Sequence, residues 1–195
     1  MINYIDYFRE VFRLSPILIV NLPIFFAGIN QDKEWLYFGA GAFLTEYSNF
    51  FKKKLVLKYF SNYQSIYRPD GAVQCSLVPQ CNVDKPWSNL GMPSGHSQIV
   101  GYLAGYLIYR AISQEKHKNK PIKQILWEEK YLVITCTIIV LMGMIGRLNK
   151  NIGGFMSADP NGCHTIEQTI VGALIGIVYG VIFSKLYQKL FKKSK

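Results

Sequence analysis

The sequence predicts an all-α integral membrane protein, a bundle of about five transmembrane helices. Half of the 195 residues are apolar or aromatic, and they occur in long blocks rather than in amphipathic stripes. Lysine and arginine, which give a formal net charge of +10, fall mostly between the blocks. This pattern is typical of a small polytopic membrane protein with basic loops and argues against a nucleic-acid-binding domain. The length favours one domain spanning residues 1–195.

Five apolar blocks account for the predicted helices, and each approaches the ~20 residues that a spanning helix needs. The third block is the shortest and also fits a buried helix of a soluble protein. Residues 1–14 include several charged side chains, and no small-residue cleavage site follows the first apolar block. We therefore expect an interfacial helix over residues 1–14 rather than a signal peptide. The blocks run from about Leu14 to Ile29, Trp35 to Phe51, Ile99 to Ile112, Tyr131 to Ile145 and Ile166 to Phe183.

The placement of lysines predicts the orientation of the bundle. The loop 113–130 and the tail 185–195 are rich in lysine and are expected on the cytoplasmic side. Alternation then puts segments 62–93 and 148–163 on the lumenal or extracellular side. Four lysines at the end of the second block conflict with this scheme, unless they meet lipid headgroups or bind an anion. These lysines are Lys52, Lys53, Lys54 and Lys58.

Side chains suited to phosphate chemistry converge on that lumenal or extracellular face. Four different helices deliver two histidines and two arginines, namely His96, His164, Arg68 and Arg147. Guanidinium groups match phosphate oxygens, and Ser94 and Gly95 add a hydroxyl and N–H groups at a helix N-terminus. One histidine can attack phosphorus while the other protonates the leaving oxygen, so the pattern requires neither a metal cluster nor a cofactor.

These residues form motifs that resemble the type 2 phosphatidic acid phosphatases, whose fold is shared with vanadium haloperoxidases. The matches are Arg68-Pro69, the run Pro93-Ser94-Gly95-His96, and Arg147 with His164, and the resemblance covers roughly residues 52–176. It implies that His164 is the nucleophile that forms a phosphohistidine and that His96 is the general acid. It also implies that a group of residues holds the phosphoryl oxygens: Arg68, Ser94, Gly95, Arg147 and one lysine.

Two departures from the family pattern affect the site. The position of the family's lysine is Ser61 here, and Lys58 is the nearest candidate, with Lys54 one turn earlier on the same helical face. The segment between Arg147 and His164 is longer than in the family because residues 149–154 and 158–162 are inserted. We expect this segment to form a glycine-rich loop over the site.

A third departure indicates the substrate class. The family's aspartate, four residues after the nucleophile, is Gln168 here, as in the similar dolichyl-diphosphatase branch. That resemblance implies a polyprenyl or dolichyl diphosphate substrate. The Gln168 carbonyl can accept the imidazole N–H of His164 and select its tautomer, in which case an aspartate would serve as well. Alternatively, Gln168 and Thr165 form only a capping box that starts the last helix.

Other functions and pairings remain open at this point. The chain can instead be a phosphatase for phosphatidic acid or another lipid phosphate, a lipid-binding membrane protein that retains the site without turnover, or a small transporter. The expected partners are a lipid phosphate or diphosphate and the membrane itself.

Cys75 and Cys81 would close a small loop in an oxidising lumen, or both stay free thiols.

Close packing of the third and fifth helices is a further expectation. Both helices carry glycines at small-xxx-small spacing, which lets membrane helices approach through their backbones. Their N-terminal ends bear His96 and His164, so close packing would bring the two histidines together. The glycines are Gly101 and Gly105 in the third helix and Gly172, Gly176 and Gly180 in the fifth.

Overall fold

A computed structural model describes residues 4–70, 72, 75, 89–148 and 162–192, with side chains from Leu14 onward. Within these ranges the regular secondary structure is all helical and there is no strand, which confirms the predicted all-α class. Short 3₁₀ turns occupy residues 64–66 and 115–117, and a π turn occupies residues 188–192. The helices are α1 Tyr4–Asn30, α2 Lys33–Phe60, α3 Gly95–Ile112, α4 Ile122–Glu128, α5 Lys130–Ile145 and α6 Ile166–Tyr187.

The five predicted apolar helices are all present, but two boundaries differ. Tyr4–Leu14 is not a separate interfacial helix, because it continues into the first apolar block as one helix. The charged residues in this segment belong to α1 and do not form a boundary between two helices. α2 continues to Phe60 and therefore carries the whole basic cluster, which consists of Lys52, Lys53, Lys54 and Lys58. The loop 113–130 contains the additional short helix α4, which the sequence did not suggest.

Close backbone contact between α3 and α6 forms the centre of the bundle. A methyl group built at Gly176 would collide with the backbone of Gln98, and one at Gly101 would collide with the carbonyl of Ala173. A methyl group at Gly172 would meet the carbonyl of Ser94. The glycines therefore let the two helices approach through their backbones, as small residues do in membrane bundles. The expected pairing of these helices is confirmed.

α2 is held along α3 by an aromatic cluster and an ion pair. Phe38 packs against Tyr102 and Tyr106 with ring centroids 5.3 and 4.9 Å apart, and the Tyr102 hydroxyl donates to the Phe38 carbonyl at 3.0 Å. At the opposite end from the histidines, the Arg110 guanidinium donates to both oxygens of Glu34. These contacts set the register of α2, so that its second half lies beside the start of α3.

The apolar surface of the bundle bears on membrane insertion. Among the described residues, Ile166–Phe191 is the one helix both long and apolar enough to cross a bilayer. Leu14–Asn30 and Lys130–Ile145 are shorter apolar helices. Large apolar side chains such as Phe25, Phe43 and Leu174 are more than half exposed. Such a surface is unusual for a soluble monomer.

Candidate active site

The start of α3 lies directly against the start of α6. The Ser94 N–H donates to the Gln168 carbonyl at 3.1 Å, and the Ser94 hydroxyl accepts the Ser97 N–H as the N-cap of α3. His96 then falls in the first turn of α3, and His164 immediately precedes the N-cap of α6. Both histidines are buried. The structure thus brings the two predicted catalytic histidines to the same end of two helices in contact.

Arg68 reaches this end of the bundle through a short antiparallel bridge. The bridge joins Tyr67 to Leu90, and the Arg68 N–H donates to the Asn89 carbonyl at 2.8 Å. It ties the segment after α2 to the segment that leads into α3. The Nε atom of Arg68 is buried, and it meets no hydrogen-bond acceptor in the described part of the chain.

Arg147 follows α5 and fixes the backbone of His164. The Arg147 carbonyl accepts the N–H groups of Cys163 and His164 at 3.0 and 3.2 Å. Its guanidinium Nη2 donates to the Cys75 carbonyl at 3.1 Å, and the side chain is buried. The backbone of Arg147 is therefore hydrogen-bonded to that of the predicted nucleophile. The positive charge of Arg147 also acts on the His164 imidazole.

A disulfide links Cys75 to Cys163, whose Cα atoms are 5.2 Å apart. The expected loop between Cys75 and Cys81 is therefore wrong. The partners are 88 residues apart, a pairing that spacing along the chain does not reveal. Cys81 lies outside the described residues, as do the insertions 149–154 and 158–161 predicted to cover the site. Cys136 is a buried free thiol.

The lysine beside the arginines is Lys53, whereas the prediction was Lys58. The Lys53 ammonium donates to the Leu90 carbonyl at 2.7 Å. Leu90 lies in the segment before α3, which the bridge joins to the segment of Arg68. Burial, together with the positive charges of Arg68 and Arg147, lowers the pKa of Lys53 to about 8. Lys58 is exposed, with its ammonium 5.3 Å from the Tyr59 ring centroid. Five residues turn a helix by about 140° beyond a full turn, so Lys58 lies on another face.

Lys52 has a different environment from Lys53. Its ammonium donates to Gln98 Oε1 at 2.7 Å and lies 4.5 Å from the centroid of the Tyr179 ring. The Gln98 amide in turn donates to the Thr45 carbonyl at 2.9 Å. Lys52 therefore connects α2, α3 and α6 by internal contacts. This accounts for one lysine of the basic cluster without a lipid headgroup.

Gln168 makes both of the contacts that the sequence left as alternatives. It forms a capping box with Thr165, and its Oε1 lies 3.1 Å from the Nδ1 of His164. Its Nε2 donates to the carbonyls of Ser65 and Tyr67 at 2.9 and 2.6 Å. Two carbonyl acceptors fix which end of the amide is nitrogen, so Oε1 must accept from His164. The proton of the neutral imidazole is therefore on Nδ1, which leaves the lone pair on Nε2.

The charges around His164 keep its imidazole neutral. Burial lowers its pKa well below 6.5, and the positive charges of Arg147, Arg68 and Lys53 lower the pKa further. The hydrogen bond to Gln168 opposes this shift without reversing it. A buried neutral imidazole beside three cations can attack an electrophile, and the cations can hold an anion.

Two residues of α2 that the sequence interpretation missed also reach this site. A methyl group built at Gly95 would lie 2.9 Å from the Asn49 Nδ2 and 3.3 Å from both carboxylate oxygens of Glu46. Glycine at this position thus allows α2 to approach the first turn of α3. Glu46, Asn49 and Lys53 are polar residues at i, i+3 and i+7, a spacing that puts them on one face of α2. That periodicity was the available signal.

Over residues 34–192, which is most of the chain, the sequence matches the family described as the PAP2 superfamily. No curated protein and no solved structure matches the chain. The matched range contains the two histidines, both arginines and Lys53 described above. On this evidence the chain belongs to the PAP2 superfamily, whose members are phosphatases.

Proposed function

We propose that the protein is a membrane lipid phosphatase that hydrolyses a polyprenyl or dolichyl diphosphate through a phosphohistidine, without a divalent metal. The observation that carries this proposal is the environment of His164. Three cations, Lys53, Arg68 and Arg147, act on a buried imidazole that stays neutral. Cations in such a site stabilise the charge that develops on a transferred phosphoryl group.

In the first step, the Nε2 of His164 attacks the terminal phosphorus of the diphosphate. A P–N bond forms, and the bond from phosphorus to the bridging oxygen breaks. His96 in its protonated form gives a proton to that oxygen, and the lipid monophosphate leaves. The first turn of α3 contributes N–H groups and the positive end of its dipole to the phosphoryl oxygens, alongside Lys53 and the arginines.

In the second step, water attacks the phosphohistidine. The P–N bond breaks, its electron pair returns to His164, and a new P–O bond forms. His96, now neutral, accepts the proton of the attacking water, so both histidines return to their starting states. Inorganic phosphate is the product.

The lipid nature of the substrate is supported by an apolar groove between α1 and α2. The groove is a cavity of about 230 Å³ with Glu46 at its edge, the residue that contacts Gly95. A hydrocarbon chain bound there would place its phosphate near the start of α3. The polyprenyl class itself rests on the resemblance of the Gln168 and Pro93-Ser94-Gly95-His96 motifs. The apolar side chains of the groove are Pro16, Ile17, Val20, Phe43 and Tyr47.

We further propose that the five long helices span the membrane and that the site opens to a lumenal or extracellular compartment. The lysine-rich loop 113–130 and tail 185–195 support this orientation. The disulfide at the site supports it as well, since disulfides persist in oxidising compartments. If the protein is eukaryotic or viral, the endoplasmic reticulum is a membrane that encloses such a compartment.

The test is a phosphate-release assay on purified protein in detergent with EDTA. The substrates are a polyprenyl diphosphate, a polyprenyl monophosphate, phosphatidic acid and p-nitrophenyl phosphate. We expect the diphosphate to have the highest kcat/KM, and His164→Ala to release phosphate only at background. Trapping with ³²P-labelled substrate should label wild type and not His164→Ala. A wild-type protein that binds the lipids but releases no phosphate would support the alternative of a binding protein.

A further inference from the structure

Two oxygen atoms of α2 lack hydrogen-bond donors at the start of α3. The Glu46 Oε2 and the Asn49 Oδ1 are buried, and neither has a partner within the described ranges of the chain. Buried oxygen atoms in proteins are nearly always hydrogen-bonded. Asn49 is 8% exposed, so bulk solvent does not supply a hydrogen bond to its side chain. A small ligand with hydrogen-bond donors fits both atoms.

The position of these atoms identifies the ligand. Both side chains lie close enough to Gly95, the residue before the predicted general acid His96, to touch a methyl group built on it. An in-line phosphoryl transfer places the nucleophile and the leaving group on opposite sides of phosphorus. His96 therefore marks the side from which the lipid leaves, and the attacking water must enter from that same side in the second step. Glu46 and Asn49 border this side.

We propose that Glu46 and Asn49 position the water that hydrolyses the phosphohistidine. This inference rests on the proposed function. The water donates one hydrogen to His96, which takes it as a proton while the P–O bond forms and the P–N bond to His164 breaks. Its other hydrogen is held by the oxygens of the α2 pair. Glu46 and Asn49 are positioning residues for this second step and are not required for the first.

A competing role for Glu46 is to balance the charge of the neighbouring lysines. Its carboxylate interacts electrostatically with Lys53 and with Lys52. The two roles make different demands on the side chain. Glutamine keeps an oxygen acceptor and removes the charge, while methionine removes both. Holding a water requires the oxygen, whereas balancing the lysines requires the charge.

The experiment compares Glu46→Gln and Glu46→Met by rapid mixing with p-nitrophenyl phosphate. The burst of p-nitrophenol reports formation of the phosphohistidine, and the steady state reports its hydrolysis. In Glu46→Met we expect a burst near one equivalent per site at a rate within about twofold of wild type, followed by turnover slowed at least about tenfold. Glu46→Gln should retain most of the wild-type turnover. Asn49→Leu should resemble Glu46→Met.

The control is Ser48→Ala on the same helix, since the one hydrogen bond of the Ser48 hydroxyl within the described part of the chain goes to the Thr45 carbonyl. It should match wild type in both phases. Equal losses in Glu46→Gln and Glu46→Met, or a burst slowed as much as turnover in Asn49→Leu, would overturn the proposal and assign the pair to charge balance or structure. A wild-type protein with neither burst nor turnover would instead contradict the proposed function.

Discussion

The Oε1 of Gln168 accepts a hydrogen bond from the Nδ1 of His164 at 3.1 Å, while the same amide group donates to two backbone carbonyls. Those carbonyls, of Ser65 and Tyr67, belong to the segment that delivers Arg68. One side chain therefore orients the predicted nucleophile and anchors the segment of Arg68, the arginine proposed to bind phosphate. An amide can do both because it carries an acceptor and a donor, whereas a carboxylate carries acceptors only.

Replacing Gln168 with aspartate tests this double role. The sequence alone suggested that aspartate would serve as well, but aspartate is one methylene shorter than glutamine and has no N–H to donate to the carbonyls of Ser65 and Tyr67. We expect kcat/KM to fall by about tenfold or more, because an unpaired buried acceptor costs ~1–3 kcal/mol. Steady-state kinetics with a lipid diphosphate measures it.

Thr165→Ala is the matched control for the change at Gln168. The Thr165 hydroxyl accepts the Gln168 N–H in the capping box and makes no contact with the imidazole. Loss of an N-cap lowers stability by about 1 kcal/mol. We therefore expect a lower melting temperature with kcat/KM retained. If Gln168→Asp behaves in the same way, Gln168 is only a helix cap.

The pKa of Lys53 predicts a loss of activity on the alkaline side. It is lowered from 10.5 to about 8, so the ammonium that we propose binds phosphate loses its proton as pH rises through 8. We expect kcat/KM for p-nitrophenyl phosphate, whose leaving group needs no proton from His96, to decline above pH 8. Lys53→Arg should shift this decline to higher pH because a guanidinium stays charged. Lys58→Met, at the exposed end of α2, should leave the profile unchanged; a shift in that variant would contradict the assignment.

His164 predicts the acidic side of the same profile. In the proposed mechanism it attacks only when neutral, and its pKa lies well below 6.5, so activity should persist at pH 6.5 and be lost only at lower pH. Removing one nearby positive charge stabilises the imidazolium and raises this pKa. Lys53→Met should therefore move the acidic limb of kcat/KM upward, besides reducing its height. An acidic limb at the same pH in both proteins would show that Lys53 does not act on His164.

The glycine contacts between α3 and α6 predict unequal effects of the same substitution. Gly176→Ala places a methyl group against the backbone of Gln98 and the Tyr102 nitrogen, which no side-chain movement relieves. We expect lower thermal stability and a strong loss of activity as the histidine-bearing helix ends separate. Gly28→Ala is the control, since nothing lies within 4 Å of the added group. Equal melting temperatures for the two variants would argue against direct packing.

The helices and the two histidines could be predicted because each depends on local sequence. Apolar blocks set the helix positions, and the Pro93-Ser94-Gly95-His96 run marks the start of α3. Lys53 was missed because the choice among four lysines depends on which face of α2 meets the site, and that is set by contacts with α3. The register of that packing comes from residues far apart in the chain, such as Phe38 and Tyr102.

The disulfide was missed for a related reason, since its partners are 88 residues apart and no local pattern links them. The double role of Gln168 likewise depends on carbonyls about 100 residues away, at Ser65 and Tyr67. Sequence spacing offered the capping box and the histidine contact as alternatives. The structure satisfies both at once because the amide has two ends.

The disulfide predicts a link between oxidation and activity. It joins Cys163, adjacent to His164, to Cys75, whose carbonyl accepts from the Arg147 guanidinium. Without the bond, the segment at Cys75 is no longer tied to the nucleophile, and Arg147 loses a fixed partner. We expect Cys75→Ser to lower kcat/KM by about tenfold, since small misplacements in a phosphoryl site are costly. Cys163→Ser and the double variant should give the same loss, because each breaks the same disulfide bond.

Cys136→Ala, which changes the buried free thiol, should retain activity. Dithiothreitol should inhibit wild type and Cys136→Ala but not reduce Cys75→Ser further. Full activity of Cys75→Ser in phosphate release would show that the disulfide does not position the site.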